Sequence, residues 1–362
     1  MKATWSGSLS TRLFCLDFLK AISITAVVSY HSIFVYRSTY TDSLLALDLS
    51  SAPLRFCVPV LFTISFLLLE RGLANRSKEP TWKLMRKRLL RVAVPTIVWF
   101  SLVIGLKFSR GSVSLSEIIP YTLRGDAYQG AYYLVALLQF LLIFAWLRNY
   151  LQRPQNIVIA LLLQGAVFLF VYQALSGNPA LQPLLSTLRS LGRPCLIYWF
   201  GYVALGIYFH NNWPSIVEAS RTTSKSVKFA AVGLTCFFLI AEDYLLFSLS
   251  GGKIVPFDYS MFSCVISAIT AFICFASIEE WHIPKATQAL VYLLSRYSLG
   301  IFCINGILSE ILLSFGSHLL SHLSFDLVEI LAIKLLGWLF LLGVSLLLSI
   351  LLDRIGLGAI VR

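Results

Sequence analysis

Stretches of about 20 apolar residues, divided by short segments that carry charge, proline or glycine, constrain this chain more than any other feature of it. They cover approximately residues 14–36, 53–71, 89–108, 131–150, 157–175, 193–210, 228–247, 257–276, 298–317 and 327–352. Inside hydrocarbon an unsatisfied peptide group costs several kcal/mol, so such a run folds as a helix whose N–H and C=O groups bond within the segment. The expected fold class is therefore all-α, a polytopic membrane protein with about ten transmembrane helices. With 58% hydrophobic and only 13% charged side chains in 362 residues, the composition is far from that of a soluble domain. No internal repeat, low-complexity tract or long hydrophilic stretch marks a second unit, so residues 1–362 read as one membrane domain.

A net charge of +12 in a soluble protein would point to nucleic acid. Here the densest positive charge, Arg71, Arg76, Lys78, Lys83, Arg86, Lys87, Arg88 and Arg91, lies around the junction of the second and third apolar runs. A basic cytoplasmic face is the simpler reading, and no nucleic-acid partner is expected. Arg148 and Arg153, Arg221, Lys225 and Lys228, and Arg354 and Arg362 agree with both termini being cytoplasmic, whereas Lys107, Arg110 and Arg124 pull the other way. Lys2 and Arg12 precede the first run as in a signal peptide. Asp17 and Lys20 interrupt that run and it is long enough to span, so a retained helix is expected. The seven cysteines form no CxxC pair and sit mostly in apolar runs, which predicts neither a disulfide framework nor a metal cluster.

The first run contains three groups that lipid does not tolerate idly: Asp17, Lys20 and His31. At roughly 100° per residue, Lys20 and His31 lie within about 20° of each other on a helix and Asp17 within about 40° of His31, so all three share one stripe. A rise of about 1.5 Å per residue puts roughly 16 Å between Lys20 and His31, enough to reach from the cytoplasmic third of a bilayer past its middle. A functional track is one reading. The other is an Asp17–Lys20 pair at i, i+3 with His31 reaching into the outer headgroups.

The order LDFLKAISITAVVSYH, PVLFTISFLLL, RLLRVAVP, YYLVALLQF and SLGIFCIN resembles the membrane-bound acyltransferase-3 family. Its members are ten-helix bacterial proteins that O-acylate surface polysaccharides, lipopolysaccharide or related sugars from a cytoplasmic acyl-CoA. The family's Arg, ten residues, His pattern falls on Lys20 and His31, with the preceding acid on Asp17, and its RxxR pattern falls on Arg88 and Arg91. The resemblance implies a multi-pass protein of the bacterial inner membrane. It would move an acetyl or other short acyl group from acetyl-CoA or another acyl-CoA to a hydroxyl of a glycan or lipid-linked sugar. The sequence departs from the pattern at Lys20, where Arg is usual, at Phe66, which follows Ser65 where glycine is common, and at Asn305, where many members have histidine.

Acyl transfer from a thioester needs a group that takes the proton of the attacking hydroxyl, and histidine, with an unperturbed pKa of about 6.5, suits that task. His31, the one histidine placed inside a span, is the candidate general base, or an acyl carrier. Cys15 and Cys303 read as inert core. Coenzyme A is anionic, so Arg88 and Arg91, three apart on one helical face, are its candidate ligands, with Arg86, Lys87 and Lys83 as auxiliaries. Lys20 and Asp17 would line the route to His31. Glu242, Asp243, Glu310 and Lys334 are expected to face the bundle, an ion pair of Lys334 with Glu310 being as good a reading as a substrate contact. Tyr132 and Tyr133 read as interfacial anchors or as a surface for a sugar ring. His318 and His322 have metal-ligand spacing but no third ligand, and no metal is expected. The competing class is a transporter or flippase of an anionic solute, with Asp17, Lys20 and His31 as a proton relay. Such a chain would more often show paired, Gly- or Pro-broken helices in two related halves, and none are apparent.

Overall fold

Each apolar run contains a helix in the computed structural model, which describes residues 13–75, 80–320 and 322–362. Lys2, Arg12, Arg76 and Lys78, used above to read the N-terminus and the topology, lie outside the described residues. The helices are α1 (Phe14–Tyr30), α2 (Leu44–Ser51), α3 (Cys57–Ala74), α4 (Thr81–Ser109), α5 (Ile118–Arg124), α6 (Tyr132–Leu151), α7 (Pro154–Leu175), α8 (Gln182–Leu191), α9 (Phe200–Asn211), α10 (Trp213–Thr222), α11 (Lys225–Leu249), α12 (Phe262–Phe275), α13 (Lys285–Arg296), α14 (Ser298–Leu320) and α15 (Leu327–Leu352). Among the described residues there is no strand.

Seven helical stretches are long and apolar enough to cross a membrane: 37–74, which ends in α3, and α4, α6, α7, α11, α14 and α15. The other three expected spans are shorter, with 17 residues in α1, 12 in α9 and 14 in α12. At about 1.5 Å per residue α9 is only about 18 Å long, well below the ~30 Å hydrocarbon core. Gly201 through Ile207 are all buried, so α9 is enclosed by protein and is not obliged to match the thickness of lipid.

The core is organised around α3, which packs most extensively against α9 and also against α1, α12 and α4. Gly206 makes the α3–α9 approach possible, because a Cβ there would stand 2.8 Å from the Thr63 carbonyl oxygen and 2.9 Å from the Phe66 Cβ. That contact gives Phe66 its place: fully buried, it packs on Phe140 and Phe144, while Phe62 joins Phe66 to Tyr133 and Trp199. The bulk in α3 is accommodated by the missing side chain on α9.

Buried polar groups lock the helices in register. Glu70 of α3 accepts from Arg148 Nε at 2.6 Å and Nη2 at 2.8 Å, and from Gln152 Nε2 at 3.0 Å. Glu242 of α11 satisfies the first backbone N–H groups of α12, accepting from Phe262 at 2.9 Å and Ser263 at 2.7 Å, and it also accepts from the Tyr172 hydroxyl. Two of the acids that interrupt apolar runs, Glu242 and Asp243, are thus structural: Asp243 pairs with Arg55 at 2.7 Å. The Arg55 guanidinium also lies 5.4 Å from the centre of the Tyr30 ring, which sets the start of α3 beside the end of α1. α3 therefore runs back along α1, and the basic start of α4 lies at the end of the bundle away from Tyr30.

Candidate active site

α1 stops at Tyr30, short of the expected 36, and His31 closes its last turn by donating its backbone N–H to Val27 and Val28. The chain then unwinds and runs against α14 and α15, where Gly316 and Gly337 leave room for the Phe34 and Ser32 carbonyl oxygens. The unwound segment opens a cavity of about 410 Å³ whose lining includes His31, Asp48, Gln129, Gly130, Arg193 and Lys334. A second cavity of about 420 Å³ shares Gln129, Gly130 and Arg193 and adds Arg124, Tyr132 and Glu310. His31 therefore faces a cavity lined by both polar and apolar side chains and bordered by the exposed Tyr36 and Arg37.

Its imidazole is held from α14. Asn305, fully buried, has Nδ2 3.1 Å from His31 Nδ1. In this orientation the amide donates to Nδ1, and the neutral ring carries its proton on Nε2. A half-turn of the amide presents Oδ1 instead, so that Nδ1–H donates and Nε2 becomes the free base. Among the described residues Oδ1 has no hydrogen-bond partner as placed, so the half-turn breaks no bond at that atom.

Arg193, between α8 and α9, reaches the same space. Its Nε donates to Asp258 Oδ1 at 2.9 Å and its guanidinium lies 5.1 Å from the centre of the Tyr132 ring. Asp258 in turn takes a hydrogen bond on its backbone carbonyl from Arg55 Nη1 at 3.2 Å. Asp243, Arg55, Asp258 and Arg193 thus form a ladder of alternating charge ending at the cavity.

The remaining sequence-expected residues are distributed differently. Asp17 is buried and accepts from the Ser295 hydroxyl at the start of α1, and Lys20 is half-buried; neither lines the His31 cavity. Between Lys20 and His31 the core residues Ile24, Val27 and Val28 are at most 2% exposed. Arg88 and Arg91 line a separate cavity of about 270 Å³ between the end of α3 and the start of α4, together with Leu84, Lys87 and Gly72. Arg86 does not line it and is exposed. The cavity face of α4 is the i, i+3, i+4, i+7 set 84, 87, 88 and 91, so of the three auxiliaries named above Lys87 lines the cavity and Arg86 and Lys83 do not. The basic cavity and the His31 cavity share no lining residue, and the 18 residues of α3 put about 27 Å between their ends.

Other expectations are corrected by the packing. Glu310 pairs with Lys107 at 2.9 Å, not with Lys334, which instead lines the His31 cavity. Tyr132 and Tyr133 are 6% and 8% exposed and pack on Trp199 and on Phe62 and Phe302, so neither is an interfacial anchor. No group of three or more His, Cys, Asp or Glu arranged to hold a metal occurs among the described residues. Gln129 carried no pattern that marked it in the sequence. Arg55, Arg193 and Asp258 did carry a signal, as charges near the starts of apolar runs.

A family model described as an acyltransferase domain matches residues 13–354. The chain belongs to the acyltransferase-3 family. No curated protein and no solved structure matches it. The chain is thus a multi-pass membrane acyltransferase, and the transporter reading finds no support. In this acyltransferase, Lys20, Phe66 and Asn305 are accommodated in the packing, the last by direct contact with His31.

Proposed function

We propose that this acyltransferase is an O-acyltransferase of the bacterial inner membrane, with about ten membrane-crossing segments and both termini cytoplasmic. It carries an acetyl or other short acyl group from cytoplasmic acyl-CoA to a hydroxyl of a glycan or lipid-linked sugar. The observation that carries the reading is His31 itself: an imidazole on a cavity that also holds Arg193, Lys334 and Gln129, its Nδ1 side engaged by a fully buried amide.

In this scheme His31 Nε2 takes the proton of the sugar hydroxyl as the oxygen attacks the thioester carbonyl, with Asn305 half-turned so that Nδ1–H donates to Oδ1. Collapse of the tetrahedral intermediate breaks the C–S bond, and the imidazolium returns its proton to the departing thiolate. The products are the acyl ester and free CoA. Arg88 and Arg91, with Lys87 in place of Arg86, meet the phosphates of the donor at the cytoplasmic end. Asp17 and Lys20, in the first two turns of α1, stand at the end of the bundle from which the acyl-bearing arm enters. The about 27 Å along α3 is a distance that only a long, thin arm bridges without moving the protein.

The test is transfer by the purified protein with acetyl-CoA and surface glycan, followed by thiol release and by mass analysis of the ester. His31→Ala should abolish transfer while membrane insertion stays normal, and Arg88→Ala or Arg91→Ala should raise the KM for the donor. Full transfer by His31→Ala would refute the assignment.

A further inference from the structure

We infer that the acceptor sugar is anionic, and that its carboxylate or phosphate group is held in the His31 cavity by Arg193 and Lys334. The inference rests on the reading of that cavity as the acceptor site and adds to it the class of sugar.

The argument begins with an imbalance of hydrogen-bonding groups. Arg193 spends only Nε on Asp258, and among the described residues its two Nη nitrogens have no hydrogen-bond partner. Lys334 is half-buried on α15 with its ammonium 6.0 Å from the centre of the Tyr30 ring, and among the described residues it makes no ion pair within 4 Å. Gln129 accepts from Ser309 through Oε1 at 3.3 Å, which leaves its two amide hydrogens for the cavity. Against these donors, the acidic side chain on the lining is Asp48, and it is already paired with Arg37 at 3.8 Å. The cavity is therefore rich in donors and cations and short of acceptors.

A neutral sugar that displaced their water would leave Lys334 without a counter-charge and the two Arg193 Nη nitrogens without a charged acceptor, a cost that an anionic group removes. The two cations also differ usefully. Arg193 is fixed from behind by Asp258, and through it by Arg55, so the outward pair of its planar fork is held ready for the two oxygens of a carboxylate or phosphate. Lys334 is a point charge on a flexible stem and follows the anion wherever the ring places it. The donor's phosphates have their own cationic site at the other end of α3, so the charge at the His31 end is left for the acceptor.

The inference is tested by ligand-observed NMR on the full chain in lipid nanodiscs, without acyl donor. Galacturonic acid, galactose 1-phosphate, galactose and desulfo-CoA are titrated separately at matched ionic strength. One charge-assisted contact retained is worth about tenfold, so at least one of the two charged sugars should bind about tenfold tighter than galactose. Whichever binds tighter tells a uronate from a phosphate-bearing sugar as the source of the charge. Lys334→Met and Arg193→Met should each erase most of that preference, and Lys334→Arg should keep it. Among the described residues Lys334 makes no ion pair, so Lys334→Met reports even where loss of Arg193 disturbs folding through Asp258. Equal affinity for galactose and both charged sugars, or an unchanged preference in Lys334→Met, overturns the inference. So does a loss of desulfo-CoA binding in the same variants, since the cavity would then hold the donor. A charge preference in a protein that acylates no sugar would sink the transferase reading alone. Acyl transfer to galactose with the same KM as to both galacturonic acid and galactose 1-phosphate would sink this inference alone.

Discussion

Replacing Arg55 by methionine strips two buried carboxylates of the charge they share. Arg55 is 2% exposed, Asp243 is fully buried and Asp258 is 4% exposed, with Nη2 2.7 Å from Asp243 and Nη1 3.8 Å from the Asp258 carboxylate. Breaking a buried pair from one side costs about 3–5 kcal/mol, because the partner's charge is left uncompensated. Asp258 retains Arg193, whereas Asp243 retains nothing among the described residues, so most of the loss is assigned to Asp243. On a per-residue unfolding entropy typical of globular proteins, a loss in the middle of that range lowers the unfolding midpoint of a chain this long by about 5 °C. Thermal unfolding of the detergent-solubilised protein, followed by tryptophan fluorescence, reads the shift. Arg55→Met with Asp243→Asn should recover more than half of it, since the double variant buries no orphan charge. A single variant within 1 °C of the parent, or a double variant no more stable than the single, would show that the ladder is not a structural element.

Three further outcomes follow from the geometry. Asn305→Ala should lower kcat by about tenfold, the equivalent of one hydrogen bond, while Asn305→Asp, able only to accept from Nδ1–H, should retain more activity than alanine; equal rates for the two would detach Asn305 from the mechanism. Gly206→Val should destabilise the bundle by about 1–3 kcal/mol because its Cβ meets the Thr63 carbonyl at 2.8 Å, and a neutral result in thermal unfolding would contradict the close α3–α9 contact. Asp258→Asn removes the carboxylate 2.9 Å from Arg193 Nε and should lower the midpoint of thermal unfolding, and an unchanged midpoint would remove Asp258 from the ladder.

The apolar runs alone determined that this chain is helical and where ten of the fifteen described helices lie, because in lipid the peptide groups have no partner outside their own segment. Family membership was legible in the same way, from Lys20, His31, Arg88 and Arg91 standing at fixed positions in or beside those runs. Helical periodicity placed Arg88 and Arg91 together correctly, since i, i+3 neighbours depend only on local geometry. It also suggested a continuous stripe from Lys20 to His31, and there it went too far: sharing a face does not decide what packs against that face, and the intervening residues are core.

What the tertiary structure decided are the pairings between residues far apart in the chain. Asn305 meets His31 across 274 positions and Arg55 reaches the Asp258 carbonyl across 203, and neither contact has a local signature. Lys334 and Glu310 were both visible as costly charges in apolar runs, yet which partner each takes depended on how α14 and α15 pack around the unwound turn after α1. A buried charge advertises in the sequence that it needs an answer, because its desolvation cost is intrinsic to the residue. Only the packing of distant helices says what that answer is.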